Sequence, residues 1–255
     1  MGVNNIIILT SGKISKLDNF PDVVDKMSFD DLSLDLGFLK KYRLIYFRLV
    51  GNSLEIAGLV ANYAKEHGIK IIDRLYETDL VYPTSFSKLA ELTKLQNAGI
   101  PIPLTSFNLP INFPFVLKST SGKKGREVWL INKEDDLPVL DKTKLYFKQE
   151  FIPNAKRIRT LVIGDKVVGG VIRQTKWNRD ETKETLNPIP EEVIQLSLAA
   201  SKAVNVQICG VDILTNETGK YWVIEANAAP AWKLINKYCG VKVEDEIIKY
   251  IQSQV

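Results

Sequence analysis

GVDILTNETGKYWVIEANAAPAW, residues 210–232, is the stretch that decides how the chain is read. GVDIL and YWVIEAN are short runs rich in β-branched and aromatic residues, and the NETG between them is turn chemistry. The two runs are therefore expected to pair as an antiparallel hairpin. Side chains alternate faces along a strand, so Glu225 and Asn227 share a face, and an odd-sum register would bring Asp212 onto it as well. Two carboxylates held close repel each other and take up a proton unless a cation lies between them. A hard, oxygen-preferring ion meets that need, and Mg2+ in particular binds through one or two carboxylates plus substrate phosphates. The same letters also fit a solvated hairpin with ordinary surface acids, so the sequence upstream has to decide.

Composition sets the bounds. The 255 residues are 45% hydrophobic and 25% charged, which describes a globular chain able to bury a large core or to split into lobes. The N-terminus, MGVNNIIILTSGK, has a four-residue apolar run with no basic segment before it, so it reads as a first β-strand and not as a signal peptide. No stretch is long and apolar enough for a membrane span. Two cysteines, Cys209 and Cys239, make neither a disulfide framework nor a CxxC site, and a reduced, cytoplasmic protein is expected. The single histidine, His67, lies late in a predicted helix just before Gly68, as a surface or C-capping residue, which argues against histidine general-base chemistry. A net charge of +4 is too mild to argue for nucleic acid.

The first eighty or so residues alternate strand and helix: IIILT, YRLIYFRLV, a helix from about Ser53 to Glu66 stopped by Gly68, then IKIID. This is an open α/β lobe, yet it carries neither GxGxxG after its first strand nor GxxxxGK[ST]. In YPTSFSKLAELTKLQNAGIPIP, Ser85 is a candidate N-cap, Leu89, Leu92 and Leu95 form an apolar stripe, and Gly99 with Pro101 ends the helix. Strands follow: FPFVLKST, REVWLI, KLYFKQEFI, and IRTLVIGDKVVGGVIRQ with a GDK hairpin turn. Residues from about Thr175 to Pro190 are polar with two prolines and read as a mobile loop. A helix over EEVIQLSLAASKAV leads into the opening hairpin, and VEDEIIKYIQSQ closes the chain as an amphipathic helix.

Two further segments carry chemistry. VLKSTSGKKGREV places Lys118 at a strand end ahead of a loop with Gly122 and Gly125, where exposed amides can cradle phosphate and the lysine adds a point charge. It also fits a plain surface hairpin. KQEFI, residues 148–152, reads either as an edge strand or as a connection whose backbone meets an adenine edge.

Taken as an ordered set, these features are similar to the ATP-grasp superfamily, and most closely to the ribosomal S6 modification (RimK-like) type of ligase. The set comprises a lysine at a helix start, a lysine before a glycine loop, a QEF strand, a strand with Arg159, then D…ExN. The resemblance covers roughly Thr84 to Ala231. It implies an α/β ATP-grasp fold in which a short N-terminal lobe, residues 1–83, precedes two β-rich lobes, 84–149 and 150–255, that enclose a nucleotide. It further implies that Lys88 and Lys118 contact ATP phosphates, with Gly122 and Gly125 in the phosphate loop, and that the backbone of Glu150, Phe151 and Ile152 holds adenine. By the same resemblance Asp212, Glu225 and Asn227 hold Mg2+, with Mn2+ as an alternative ion, and Arg159 and Arg173 face the transferring phosphate and the acyl intermediate. Arg48 matches an arginine of the family's N-terminal domain and is a candidate for holding a substrate carboxylate.

The departures are equally specific. Glu127 stands where relatives often have a third glycine. Relatives put an acid shortly before the arginine of the strand, where this chain has Arg157, in what reads as a shortened loop. KWNRDETKETLNP replaces the usual acceptor loop, and Ala-Pro-Ala-Trp follows the asparagine in place of Ser-Pro-Gly. The implied chemistry is activation of a carboxylate as an acyl phosphate and its displacement by an amine, which needs alignment and charge neutralisation over the phosphates. Basic residues beyond catalytic need, at Lys123, Lys124, Arg126, Lys156 and Arg157, suggest an acidic amino-acid, peptide or carrier-protein acceptor, although a solvated rim is the plainer reading. An ATP-grasp kinase and a nucleotide-binding module without turnover remain as alternatives. Neither a membrane nor a nucleic-acid partner is expected, and a homo-oligomer is left open.

Overall fold

The computed structural model describes residues 4–33, 35–77, 88–107, 112–120, 127–177 and 182–255, and three sheets organise them. In the first, β1 (Ile6–Thr10) lies between β2 (Asp25–Ser28) and β3 (Leu44–Leu49), all parallel, with β4 (Lys70–Ile72) beyond β3. All five residues of β1 are buried, as a parallel strand covered on both faces requires. Between β3 and β4 runs α1 (Leu54–Glu66), which stops where Gly68 takes a φ of 68°. His67 caps it, its Nδ1 2.9 Å from the Tyr63 carbonyl and its ring stacked on that of Tyr63. Ile7, Leu9, Ile45 and Phe47 pack on Ala57, Val60, Ala61 and Ala64 of this helix, and each fully buried aliphatic side chain contributes about 1.5–3 kcal/mol.

After α2 (Lys88–Asn97), the second sheet contains β5 (Thr105–Ser106), β6 (Phe115–Ser119), β7 (Val128–Ile131) and β8 (Tyr146–Glu150) in the antiparallel order β5-β8-β6-β7. The QE strand β8 is thus interior, flanked by β6 and β5, and not an edge.

The third sheet contains β9 (Lys156–Ile163), β10 (Lys166–Gln174) and β11 (Lys183–Thr185), then, after α3 (Glu191–Val204), β12 (Ile208–Thr215) and β13 (Tyr221–Asn227). Its order is β11-β10-β9-β12-β13, antiparallel throughout. The GDK turn joins β9 to β10 with Gly164 at φ 62°, and the NETG turn is held by the Asn216 carboxamide oxygen, which accepts from the Thr218 and Lys220 amides at 3.1 and 3.2 Å. The polar stretch expected to be a loop from 175 to 190 instead contains β11, paired to β10 through Val171, Ile172 and Arg173. An outermost strand that carries charge is protected from further pairing, which is why its composition resembled a loop; residues 178–181 lie outside the described residues. The chain closes with α4 (Lys233–Cys239) and α5 (Val243–Gln252).

The third sheet is covered unequally. Ile158 and Val162 of β9 face a core with α3 and with Leu95 of α2. Leu161 and Ile163, on the opposite face, pack with α4, α5 and residues Ile6, Ile8, Leu44 and Tyr46 of the first sheet. By alternation Arg157 and Arg159 share that second face. Among the described residues no helix is long and apolar enough to cross a membrane.

Candidate active site

The site is a consequence of strand register. Asp212 of β12 lies opposite Glu225 of β13 on one side and opposite Arg159 of β9 on the other. The hairpin therefore has the odd-sum register that places both acids on one face, with Asn227 two residues along β13 and opposite Gly210. One row further along β9, Arg157 pairs with Arg173 of β10. Arg157 was expected in a shortened loop; it is instead the second residue of β9. The alternation of KRIRTLVI puts Ile158 into the core and both arginines on the opposite face, so the shortened connection lets the strand begin earlier.

Asp212 is wholly buried. Arg159 grips it as a fork, Nε to Oδ1 at 2.6 Å and Nη2 to Oδ2 at 2.5 Å. Arg157 Nη2 also donates to Oδ2 and lies 3.9 Å from Glu225 Oε2. Burial by itself would raise the Asp212 pKa, but the two guanidiniums outweigh it and hold the carboxylate below its ordinary range. Gly210 makes room for this packing. A Cβ there would sit 2.6 Å from Pro230 Cβ and 3.1 Å from Arg159 Nη1, so the Ala-Pro-Ala segment passes directly over the row.

Across the cavity, Lys118 at the end of β6 donates to Gln149 Oε1 at 2.5 Å, and Gln149 Nε2 donates to Thr105 Oγ1 at 2.9 Å. Burial, and then the charge of Lys88, lowers the Lys118 pKa to about 8. Such a site favours an incoming anion. Lys88, Lys118, Glu150, Phe151, Ile152, Arg159, Arg173, Glu225 and Asn227 all line one cavity of about 700 Å³. Asp212 lies beneath its wall, covered by the arginines. Arg48, at the C-terminal end of β3, stands apart and stacks its guanidinium 3.8 Å from the Trp232 ring centroid. Gly122 and Gly125, with the neighbouring basic residues 123, 124 and 126, lie outside the described residues, as does Ser85. Glu127, at the near end of that loop, pairs with Lys144 at 2.5 Å.

Sequence reasoning missed Gln149 and Glu91, and it read Arg157 only as a surplus basic residue in a loop. Gln149, buried, positions Lys118. Arg157 belongs to the acidic row. Glu91 of α2 accepts the Ala226 amide, between Glu225 and Asn227, and burial followed by the Glu225 charge lifts its pKa to about 8. Glu91 follows Lys88 by three residues, so the i, i+3 spacing on a helix gave a signal for a shared face; its partner on β13 is 135 residues away.

Asp212, Glu225 and Asn227 supply the hard oxygens that Mg2+ prefers, and a guanidinium already bridges the two carboxylates where a cation would neutralise them. The donor set fits a divalent ion, provided Arg157 yields its place. Among the described residues no three acidic, histidine or cysteine side chains form a complete cage, so Asn227 and substrate phosphate would have to complete the coordination.

Two β-rich lobes, with a lysine on one and an acidic row on the other facing a shared cavity, define the ATP-grasp class. Known structures agree: the chain superposes with a TM-score of 0.74 at 16% identity on the ATP-grasp ligase PsnB, solved with a phosphomimetic variant of minimal precursor, Mg and ADP, over 99% of each chain. It also superposes on D-alanine–D-alanine ligase from Bacillus anthracis with a TM-score of 0.68 at 17% identity, over 98% of this chain and 97% of the other. The model of the RimK-like ATP-grasp domain matches residues 97–251, and the chain belongs to that family. A probable alpha-L-glutamate ligase of Haemophilus influenzae is 30% identical over 189 residues, 65% of this chain and 62% of the relative. Human N-acetylaspartylglutamate synthase A is 28% identical over 156 residues, 56% of this chain and 40% of the relative. The chain thus matches between two fifths and two thirds of these relatives' lengths.

Proposed function

We propose that the protein is an ATP-dependent carboxylate–amine ligase that releases ADP and phosphate. The observation that carries the reading is the Arg159–Asp212–Glu225 row set across one cavity from Lys118. In this reaction a substrate carboxylate oxygen attacks the γ-phosphorus as the bond to the β-phosphate oxygen breaks, giving an acyl phosphate and ADP. The amine nitrogen then attacks the acyl carbon, phosphate departs, and the proton of the new ammonium passes to solvent. A divalent ion on Asp212, Glu225 and Asn227 supplies charge neutralisation to the phosphates, and Mn2+ is expected to replace Mg2+. Lys88 and Lys118 draw the phosphates to one wall, Glu150, Phe151 and Ile152 form the adenine side, and Arg159 and Arg173 face the charge that develops during transfer.

The acceptor is proposed to be acidic, an amino acid or a peptide. Support comes from the cationic cavity wall at Arg157, Arg173 and Lys176, from relatives named for glutamate, and from the structure of PsnB with a precursor peptide. Arg48 is proposed to hold a carboxylate of that substrate. Both cysteines are free, which suits a reducing cytoplasm. Incubation of wild type, Asp212→Asn and Glu225→Gln with Mg-ATP and a panel of glutamate-containing acceptors tests the reading. Equal release of ADP and phosphate with an amide mass gain, lost in both variants, is expected. ADP without phosphate would mean a kinase, and no release with any acceptor a binding module.

A further inference from the structure

We propose that Arg157 is a built-in counter-cation that holds the metal position until nucleotide and metal arrive together, so that it couples the binding of the two. Its guanidinium lies between the two acidic ligands, bonded to Asp212 and 3.9 Å from Glu225 Oε2. The two arginines on Asp212 are held differently. Both line the cavity, but Arg159 makes two fork bonds, whereas Arg157 uses one nitrogen and leaves its buried Nε without a hydrogen-bond partner. Arg157 is therefore the one that can leave.

Charge counting gives the consequence. Asp212, Glu225, Arg157 and Arg159 sum to zero, so a divalent ion entering alone leaves an excess of two positive charges in a partly buried site. A triphosphate arriving with the ion more than offsets that excess, and the displaced guanidinium remains on the wall of the anion's cavity. Without Arg157 the cluster is one unit negative and attracts the ion directly. Arginine thus makes metal binding conditional on nucleotide, a coupling that must act equally in both directions.

The proposal rests on the metal assignment above, and the test separates the two. Mn2+ binding is measured by electron paramagnetic resonance without nucleotide and with a non-hydrolysable ATP analogue, in wild type, Arg157→Gln, Arg157→Lys and Asp212→Asn, with folding checked by circular dichroism. Arg157→Gln is expected to bind Mn2+ roughly tenfold more tightly than wild type without nucleotide, and to lose most of the analogue's enhancement. Arg157→Lys, which keeps the charge, is expected to retain weak binding and strong enhancement. Unchanged or weaker Mn2+ binding by folded Arg157→Gln, or tightened binding by Arg157→Lys, overturns the proposal while leaving the metal site intact. Wild-type affinity in Asp212→Asn overturns the metal assignment and the proposal with it.

Discussion

Arg159, at the centre of the site row, and Arg48, apart from it, are both partly buried, and their charges are met in opposite ways. Arg159 is saturated by a fully buried carboxylate from the neighbouring strand. Arg48 rests on Trp232, and its Nη1 is buried with no hydrogen-bond partner. The acids nearest Arg48 are committed elsewhere. Glu244 accepts from Trp232 Nε1 at 2.7 Å and from Asn236 Nδ2 at 2.9 Å, and Asp73 accepts the Gln207 and Ile208 amides, each at 2.7 Å. Burial lowers the Arg48 pKa, the signature of a cation short of counter-charge. The charge of Arg159 is neutralised within the chain; that of Arg48, at the C-terminal end of a parallel strand where open α/β sheets bind ligands, is left for the substrate carboxylate proposed above.

The comparison breaks first at Asp212. Asp212→Asn leaves two guanidiniums facing a neutral amide in a buried setting, and loss of one partner of a buried ion pair costs about 3–5 kcal/mol. Urea unfolding is expected to show a loss of that size along with loss of turnover. A cost under about 1 kcal/mol, the range of exposed ion pairs, would show the row to be solvated and its burial irrelevant. Gly210→Ala probes the packing above the same row. Its Cβ would need Pro230 to move, and overpacking of this kind costs about 1–3 kcal/mol. Unfolding midpoints equal to wild type would mean the Ala-Pro-Ala segment is not fixed over Arg159.

Asp73 sharpens the other half of the comparison. Burial raises its pKa from 3.8 to about 7, against the pull of the Ile208 and Gln207 amides and of Arg48. Its folded pKa exceeds the unfolded one, so this contribution to stability is full below about pH 4 and is lost as pH rises through about 7. Urea midpoints taken from pH 5 to pH 8 should fall in wild type and fall less in Asp73→Asn, which keeps an oxygen for the two amides. Parallel declines would show that Asp73 ionises freely and already neutralises Arg48.

What the sequence revealed and what it hid follow the same division. The β12–β13 hairpin was legible because its partners are close in the chain and its turn is chemically marked; alternation gave the shared face of Glu225 and Asn227, while the register that adds Asp212 came from the structure. The lysines and the QE strand were legible through their order. The pairing of Arg157 and Arg159 with Asp212 was not, because β9 meets β12 across more than fifty residues and no local pattern sets that register. Glu91 was hidden for the same reason. β11 was missed because an edge strand with charge has the composition of a loop, and α4 because its seven residues are too few for a periodic stripe.

Arg48 gives the smallest effect on stability and the plainest contrast. Arg48→Met removes a cation–π contact worth about 0.5–2 kcal/mol, but it also removes the desolvation of an unpaired charge, and the two changes oppose each other. Unfolding free energy is therefore expected to move by less than about 1 kcal/mol, while KM for a carboxylate-bearing acceptor rises roughly tenfold or more through loss of a charged hydrogen bond, with kcat little altered. Steady-state kinetics beside urea unfolding decides it. If Arg48→Met destabilises the protein as much as Asp212→Asn and leaves KM alone, the two arginines are alike, and Arg48 is a structural residue whose counter-charge comes from the chain itself.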